Sequence, residues 1–269
     1  MAEVSPDDVL EEVRQSRRYR HLTPSFILRV AGPHAARARR LTDAVKETKR
    51  HLHQVYGAYV GDLDVAPVIA RLEAAQVEGR DAVRTACREA MTEHVSMRER
   101  LPLLDRFYAE VLAVTGPPAV VVDLACGLGS LALPWLGLPS GAQYHAFDVD
   151  QRFVDVGLAV LRATGMGGGA ALWDIVAQPL PFAADVAFLL KAVPCLEQQE
   201  KGAARRILGQ VRARHVVVSY PTRSLGGAGK GMVAHYRAVM ASLVEGQPWS
   251  ATELPLAGEL VFVVTKHDA

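Results

Sequence analysis

Val120-Val121-Val122-Asp123-Leu124-Ala125-Cys126-Gly127-Leu128-Gly129-Ser130 is the stretch whose reading decides the fold. Three β-branched residues run into an acid, then a Gly-x-Gly turn, then an apolar segment whose helix is expected to start at Leu131. Glycine belongs where the backbone must approach a ligand closely or turn with positive φ. A dinucleotide fingerprint would carry a third glycine, and Ala132 stands at that position. The half-motif is therefore weak alone and is decided by its surroundings. The next apolar run, Tyr144 to Phe147, leads into Asp148-Val149-Asp150, about 20 residues beyond the turn, where a carboxylate can accept both hydroxyls of a ribose. A third region closes on Leu172-Trp173-Asp174-Ile175, and the Asp174 carboxylate can accept from an adenine amino group.

Three strand-end acids in register with a glycine turn form the arrangement of S-adenosylmethionine-dependent methyltransferases. The competing reading makes each Asp a simple N-cap of the following helix; the combined spacing favours the cofactor. Working outward, Val186 to Leu190, Val216 to Val218 and Leu260 to Val264 are short, β-branched runs separated by helix-length stretches. They predict buried strands of a mostly parallel sheet with helices on both faces. Upstream the texture changes. Residues 1–112 are rich in Arg, Glu, Ala and Leu, with helical spacing in Val9-Leu10-Val13, Val68-Ile69-Leu72 and Leu103-Leu104-Phe107-Tyr108-Val111. Helix breaks are expected near Thr23-Pro24, Gly32-Pro33, Gly57 to Pro67, Gly79 and Leu101-Pro102. The expected fold class is α/β: a Rossmann-like methyltransferase domain over 113–269, preceded by a helical N-terminal domain over 1–112, with Gly116-Pro117-Pro118 at the junction.

The chain has 269 residues, 50% hydrophobic and 22% charged, which excludes a disordered chain and allows one large domain or two modest ones. Thirty basic against 29 acidic side chains give a net charge of +1, which by itself implies no nucleic-acid or membrane partner. The distribution is more telling. Between Arg14 and Arg50 lie nine Arg and two Lys against Asp43 and Glu47, a local excess of +9. Such a stretch is either a phosphate-backbone footprint or the solvated face of Arg-rich helices. Cys87, Cys126 and Cys195 are widely spaced and odd in number, so neither a disulfide framework nor a metal site is expected, and a reducing cytoplasm suits them. The acidic N-terminus has no apolar stretch of a signal peptide. The long uncharged run between Asp123 and Asp148 is broken by glycines, Pro134 and Pro139, so no membrane span is expected. Nothing suggests an oligomer interface, and a monomer is expected.

The residues resemble a known family, the 16S ribosomal RNA guanine-N7 methyltransferases of aminoglycoside resistance, in the form found in producing actinomycetes. The resemblance runs through Ser16-Arg17-Arg18-Tyr19, through Lys46 to His53 with Tyr56-Gly57-Ala58-Tyr59, and through His94-Val95-Ser96 with Arg98 to Pro102. It continues in Asp123 to Leu128 and Leu133-Pro134-Trp135. Its most specific blocks are Leu189-Leu190-Lys191-Ala192-Val193-Pro194-Cys195-Leu196-Glu197 and Tyr220-Pro221-Thr222-Arg223-Ser224-Leu225-Gly226 with Lys230-Gly231-Met232. One departure is Gly129-Ser130, where producer-type members commonly carry Asn-Pro.

The resemblance implies methyl transfer from S-adenosylmethionine to N7 of the guanine numbered 1405, in the decoding region of assembled small ribosomal subunits. It implies a cofactor pocket of Tyr59, His94, Val95, Ser96, Arg100, Ala125, Gly127, Asp148, Asp174, Ile175, Leu190 and Gln199. Arg100 is expected to pair with the methionine carboxylate, the alternative being a surface ion pair with Glu99 or Asp105. Lys191 and Glu197 are expected at the mouth where the base enters: Lys191 to hold phosphate or base, Glu197 to position Lys191 or accept from guanine. Met232 is expected to pack on a guanine extruded from its stack. The segment Thr222 to Arg237 reads as a loop that orders against RNA, and Arg17, Arg18, Lys46, Lys49, Arg50, Arg223 and Lys230 are the expected rRNA contacts. Guanine N7 carries a free lone pair, so neither an obligate base nor a covalent Cys is expected, and the three thiols read as packing residues. The rival readings are a methyltransferase of a small molecule, one acting on a neighbouring rRNA base such as an adenine N1, and a non-catalytic rRNA-binding factor.

Overall fold

The computed structural model describes residues 3–57, 60, 63–222 and 231–267, with the side chains of Val95 and Ser96 excepted. Helices α1 (Pro6–Arg14), α2 (Pro24–Ala35) and α3 (Leu41–Leu52) come first, and α3 runs into a π-helical turn at His53–Gly57. Helices α4 (Ala66–Glu78), α5 (Arg80–Thr92), α6 (Val95–Arg98) and α7 (Leu104–Thr115) follow. The starts of α1 and α2 are written locally. Ser5 and Thr23 accept from backbone amides of Asp7 and Phe26, with Pro6 and Pro24 in the first turns, where a missing N–H costs nothing.

Seven strands form one sheet: β1 (Val120–Leu124), β2 (Gln143–Asp148), β3 (Gly167–Leu172), β4 (Ala184–Leu190), β5 (Ala213–Pro221), β6 (Trp249–Glu253) and β7 (Glu259–Lys266). Their order is β3-β2-β1-β4-β5-β7-β6. β1 to β5 are parallel, β7 is antiparallel to β5, and β6 is antiparallel to β7. Helices α8 (Gln151–Thr164), α9 (Val193–Gln199), α10 (Ala203–Gln210) and α11 (Met232–Val244) complete the α/β half. The chain winds from β1 outward through β2 to β3, then returns to place β4 and β5 on the other side. The winding therefore reverses between β1 and β4, the kind of crevice where open α/β sheets hold ligands.

Strand side chains alternate between two apolar layers, as the twofold period requires. Val121, Phe188, Val217 and Val263 face one core, and Val122, Leu189, Val216 and Val264 face the other. The first core also contains Val9, Phe26, Ile27, Leu52, Leu72, Met91 and Phe107. The N-terminal helices thus cover one face of the sheet and share its core.

Several local expectations are corrected. No α-helix begins at Leu131; a 3-10 helix spans Gly129–Trp135, because Pro134 lacks the N–H that a regular helix would use. Gly32-Pro33 does not break a helix but lies inside α2, whose buried Phe26, Ile27, Val30 and Ala31 hold it on the core. The third strand region, read from its end at Leu172-Trp173-Asp174, is β3, and it starts in a glycine-rich stretch at Gly167. There Gly168, at φ +121°, leaves room for the Tyr144 carbonyl, which a Cβ would approach to 2.0 Å. β6, polar and exposed, was not anticipated, and α7 runs past residue 112 to Thr115. The supposed loop to Arg237 is already the helix α11 from Met232 onward.

Candidate active site

A cavity of about 590 Å³ opens at the carboxyl ends of β1, β2 and β4. The β1 turn is built around a buried acid. Tyr144 Oη donates to Asp123 Oδ2 at 2.6 Å, and a Cβ on Gly129 would stand 2.7 Å from the same oxygen. Gly129 is required there by close approach. Ala125 (φ 50°) and Lys191 (φ 57°) are the two non-glycine residues among the described residues with left-handed backbone, and both line the cavity. Such conformations cost on the order of 1–3 kcal/mol each and persist where surrounding structure imposes them.

The two acids at the end of β2, Asp148 in its last position and Asp150 two residues on, separate cleanly. Asp150 caps α8 by accepting from Arg152 N at 2.8 Å, and its side chain is tied to Arg152 and Tyr56. It is structural. Asp148 instead faces the cavity, and among the described residues it accepts from backbone donors alone, Gly127 N at 2.8 Å and Asp150 N at 3.1 Å among them. Among the described residues no cation pairs with it, and burial pushes its carboxyl up to about 7. Burial likewise pushes Asp123 up to about 7. A buried carboxylate with acceptor capacity left and no counter-charge suits neutral donors, such as two ribose hydroxyls.

A pH signature follows from these two groups. Both hold protons more tightly folded than unfolded, so their contribution to stability is full below about pH 4 and is lost as the pH rises through about 7. Hydroxyl donors from a ligand favour the ionised Asp148. The rise in melting temperature on adding S-adenosylhomocysteine is therefore expected to grow between pH 6 and pH 8 and to level off above. Thermal melts across that range check it, and a ligand shift independent of pH would contradict it.

Next to Lys191 lies a chain of buried charge that the sequence did not disclose. Arg100 Nε and Nη2 donate to Glu259 at 3.0 and 2.5 Å, both residues being almost wholly buried. Lys191 Nζ donates to Glu99 at 2.8 Å and stands 3.7 Å from Glu259. Burial raises the Glu259 carboxyl, but Arg100 and Lys191 outweigh it and hold the group below the usual carboxylate range. Arg100 is thus neither a surface pair with Glu99 or Asp105 nor committed only to a ligand; its fork is held by Glu259. Removing one partner of a buried pair costs ~3–5 kcal/mol, because the other charge is left uncompensated. Glu259→Leu is expected to lose about that much, and Arg100→Met with Glu259→Leu to recover most of it, in denaturant melts. Equal losses in both would contradict the pairing.

Asp174 takes a bidentate fork from Arg29, Nε to Oδ2 at 2.9 Å and Nη2 to Oδ1 at 3.1 Å. Arg29 therefore leaves the basic surface run in which it sits in sequence and turns inward. The cavity also brings together His94, Arg100, Gly127, Ile175, Leu190, Gln199 and Met232, and it reaches Cys126 and Cys195. Burial lowers the His94 imidazole. Glu197 is a correction: it does not line the cavity, and its carboxylate accepts from Gly202 N at 2.9 Å and Ala204 N at 2.8 Å, capping α10. Tyr59, Arg223 and Lys230, and the side chains of Val95 and Ser96, lie outside the described residues.

On the helical half, Arg17, Arg18, Lys46 and Arg50 are exposed and Lys49 half-buried. Tyr19 Oη donates to the Lys49 carbonyl at 3.1 Å, which brings the 17–18 turn beside α3. Arg50 spends part of its charge on Glu47 at 2.5 Å.

A sheet in this order, a glycine turn after β1 and a buried carboxylate ending β2 define a methyltransferase that uses S-adenosylmethionine. The chain belongs to the ribosomal RNA methyltransferase (FmrO) family, whose model matches residues 15–263. It is 37% identical to a 16S rRNA (guanine(1405)-N(7))-methyltransferase of Micromonospora echinospora, over 99% of this chain and 100% of that one. A protein of the same description from Frankia casuarinae is 39% identical over 98% and 95% of the two chains. Among solved structures, the 16S rRNA methyltransferase RmtF in complex with S-adenosyl-L-homocysteine superposes with a TM-score of 0.83, at 30% identity and 99% coverage of both chains.

Proposed function

We propose that the protein transfers a methyl group from S-adenosylmethionine to N7 of guanine 1405 of 16S rRNA in the assembled small subunit, and so confers aminoglycoside resistance. The observation that carries this reading is the near-full-length likeness to enzymes of that description, on a chain whose cavity has the matching chemistry. Residues 1–112 serve as the rRNA-binding module, and the enzyme works as a cytoplasmic monomer.

Bound in the cavity, the cofactor supplies an electrophilic methyl group on a sulfonium. Asp148 holds the ribose hydroxyls, Asp174 the adenine amino group, and Ile175 and Leu190 give apolar contact. His94, Ala125, Gly127 and Arg100 line the cavity, and Arg100, anchored on Glu259, would take the methionine carboxylate; Tyr59, Val95 and Ser96 are assigned to cofactor binding from the family likeness alone. Guanine N7 attacks with its own lone pair, so no side chain has to remove a proton first. The protein's task is alignment, which can supply about 7–11 kcal/mol when the reacting atoms are held in attack geometry. Lys191, fixed in left-handed backbone at the end of β4, holds its ammonium on Glu99 beside Glu259 and meets phosphate or base there when rRNA binds. Met232, in the first turn of α11, packs on the extruded guanine. Arg17, Arg18, Lys46, Lys49 and Arg50, with Arg223 and Lys230, position the enzyme on phosphates.

Labelled methyl transfer tests the substrate class. Incorporation into small subunits, with little into naked 16S rRNA, is expected. Turnover confined to small molecules would overturn the reading.

A further inference from the structure

Arg29 belongs to helix α2, yet its guanidinium reaches two residues that line the cavity, Asp174 just after β3 and Gln199 at the end of α9. Besides its fork on Asp174, Nη2 donates to Gln199 Oε1 at 2.7 Å. A guanidinium has only donors. Whatever the ambiguity of an amide, Gln199 must therefore turn its oxygen to Arg29 and its NH2 away. Gln199 and Asp174 both line the cavity. The Asp174 carboxylate is also constrained: among the described residues Oδ1 accepts from Arg29, Val176 N and Ala177 N, while Oδ2 accepts from Arg29 alone. Oδ2 keeps acceptor capacity.

We infer that Arg29 is a positioning residue that sets the donor–acceptor polarity of the cofactor's base subsite, making it select adenine. Asp174 Oδ2 offers an acceptor for the 6-amino group, and Gln199 Nε2 offers a donor for the adjacent ring nitrogen. Hypoxanthine presents the reverse at both positions, an oxygen and an N–H. It would leave buried polar groups facing their own kind, which a site built on hydrogen bonds rejects strongly. Without Arg29 the Gln199 amide is free to turn over, and the polarity is lost. The inference rests on the cofactor reading above.

The test compares binding of S-adenosylhomocysteine and S-inosylhomocysteine by calorimetry. The wild-type protein is expected to prefer the adenine ligand by at least ~100-fold. Arg29→Met is expected to reduce that preference to ~10-fold or less, whatever it does to absolute affinity. Gln199→Glu keeps a partner for Arg29 but puts an acceptor where the amide NH2 was. It is expected to narrow the preference by at least ~10-fold, mainly by weakening the adenine ligand, and it gives a result even where Arg29→Met does not fold. A merely structural Arg29 would weaken both ligands in parallel and leave the ratio intact, and a ratio unchanged in both variants overturns the inference. Wild-type protein that binds neither ligand overturns the cofactor reading itself, and a wild-type preference near unity overturns the inference alone.

Discussion

Asp148→Ala is expected to weaken S-adenosylhomocysteine binding by on the order of 100-fold or more, since hydrogen bonds to a charged acceptor contribute ~1.5–3 kcal/mol each and a ribose offers two. The fold should not suffer in proportion. Asp148 is buried without a cation, and burial has pushed its carboxyl up to about 7. Its charge at pH 8 is a cost that the substitution removes, set against the acceptor lost to Gly127 N and Asp150 N, so the melting temperature of the ligand-free protein is expected to change little. Calorimetric titration and a melt on the same sample check both halves. Unchanged affinity would refute the ribose role, and collapse of the fold would show that the carboxylate is structural, as Asp150 is.

Reversing charge on the helical half is the second large effect. Lys49→Glu with Arg50→Glu changes four units of charge on the face that α3 shares with the Arg17–Arg18 turn. Each lost phosphate contact removes about 0.9 from the slope of log affinity against log salt on a duplex, and about 0.7 on single strands. The double variant is expected to lose up to about two such contacts, to bind small subunits ~100-fold more weakly at low salt, and to bind S-adenosylhomocysteine as before. Binding measured at several salt concentrations separates this from general damage. Normal subunit affinity with an unchanged salt slope would remove this face from the rRNA footprint.

What was legible in the sequence was what repeats with a physical period or sits at a forced place. β1, β4 and β5 are dense in β-branched residues, and their runs were read where they lie. β3 was legible only at its end, where Asp174 follows Leu172; its body has no β-branched run, because room for the Tyr144 carbonyl at Gly168 demands glycine. β6 was not legible, because an exposed edge strand needs no apolar pattern. The site shows the same division. Asp148 and Asp150 are equal by spacing, and only the partners made by Arg152 and Tyr56 single out Asp150 as the helix cap. Glu259 looks like the edge of an apolar run, and Arg29 like one more cation in a surface stretch. Each acquires its role from a partner over a hundred positions away: Glu259 from Arg100, Arg29 from Asp174. Glu197 erred in the other direction. It stands next to the end of a site segment, and its carboxylate turns back to the amides of Gly202 and Ala204.

The central claim is the identity of the methylated atom. The measurement that tests it most directly uses purified small subunits treated with the protein and S-adenosylmethionine, followed by chain cleavage specific for N7-methylguanine and primer extension through the decoding region. A single new stop at guanine 1405, absent when Asp148→Ala replaces the wild-type protein, is the predicted result. A stop at a neighbouring adenine, or methyl incorporation with no cleavage at any guanine, would contradict it.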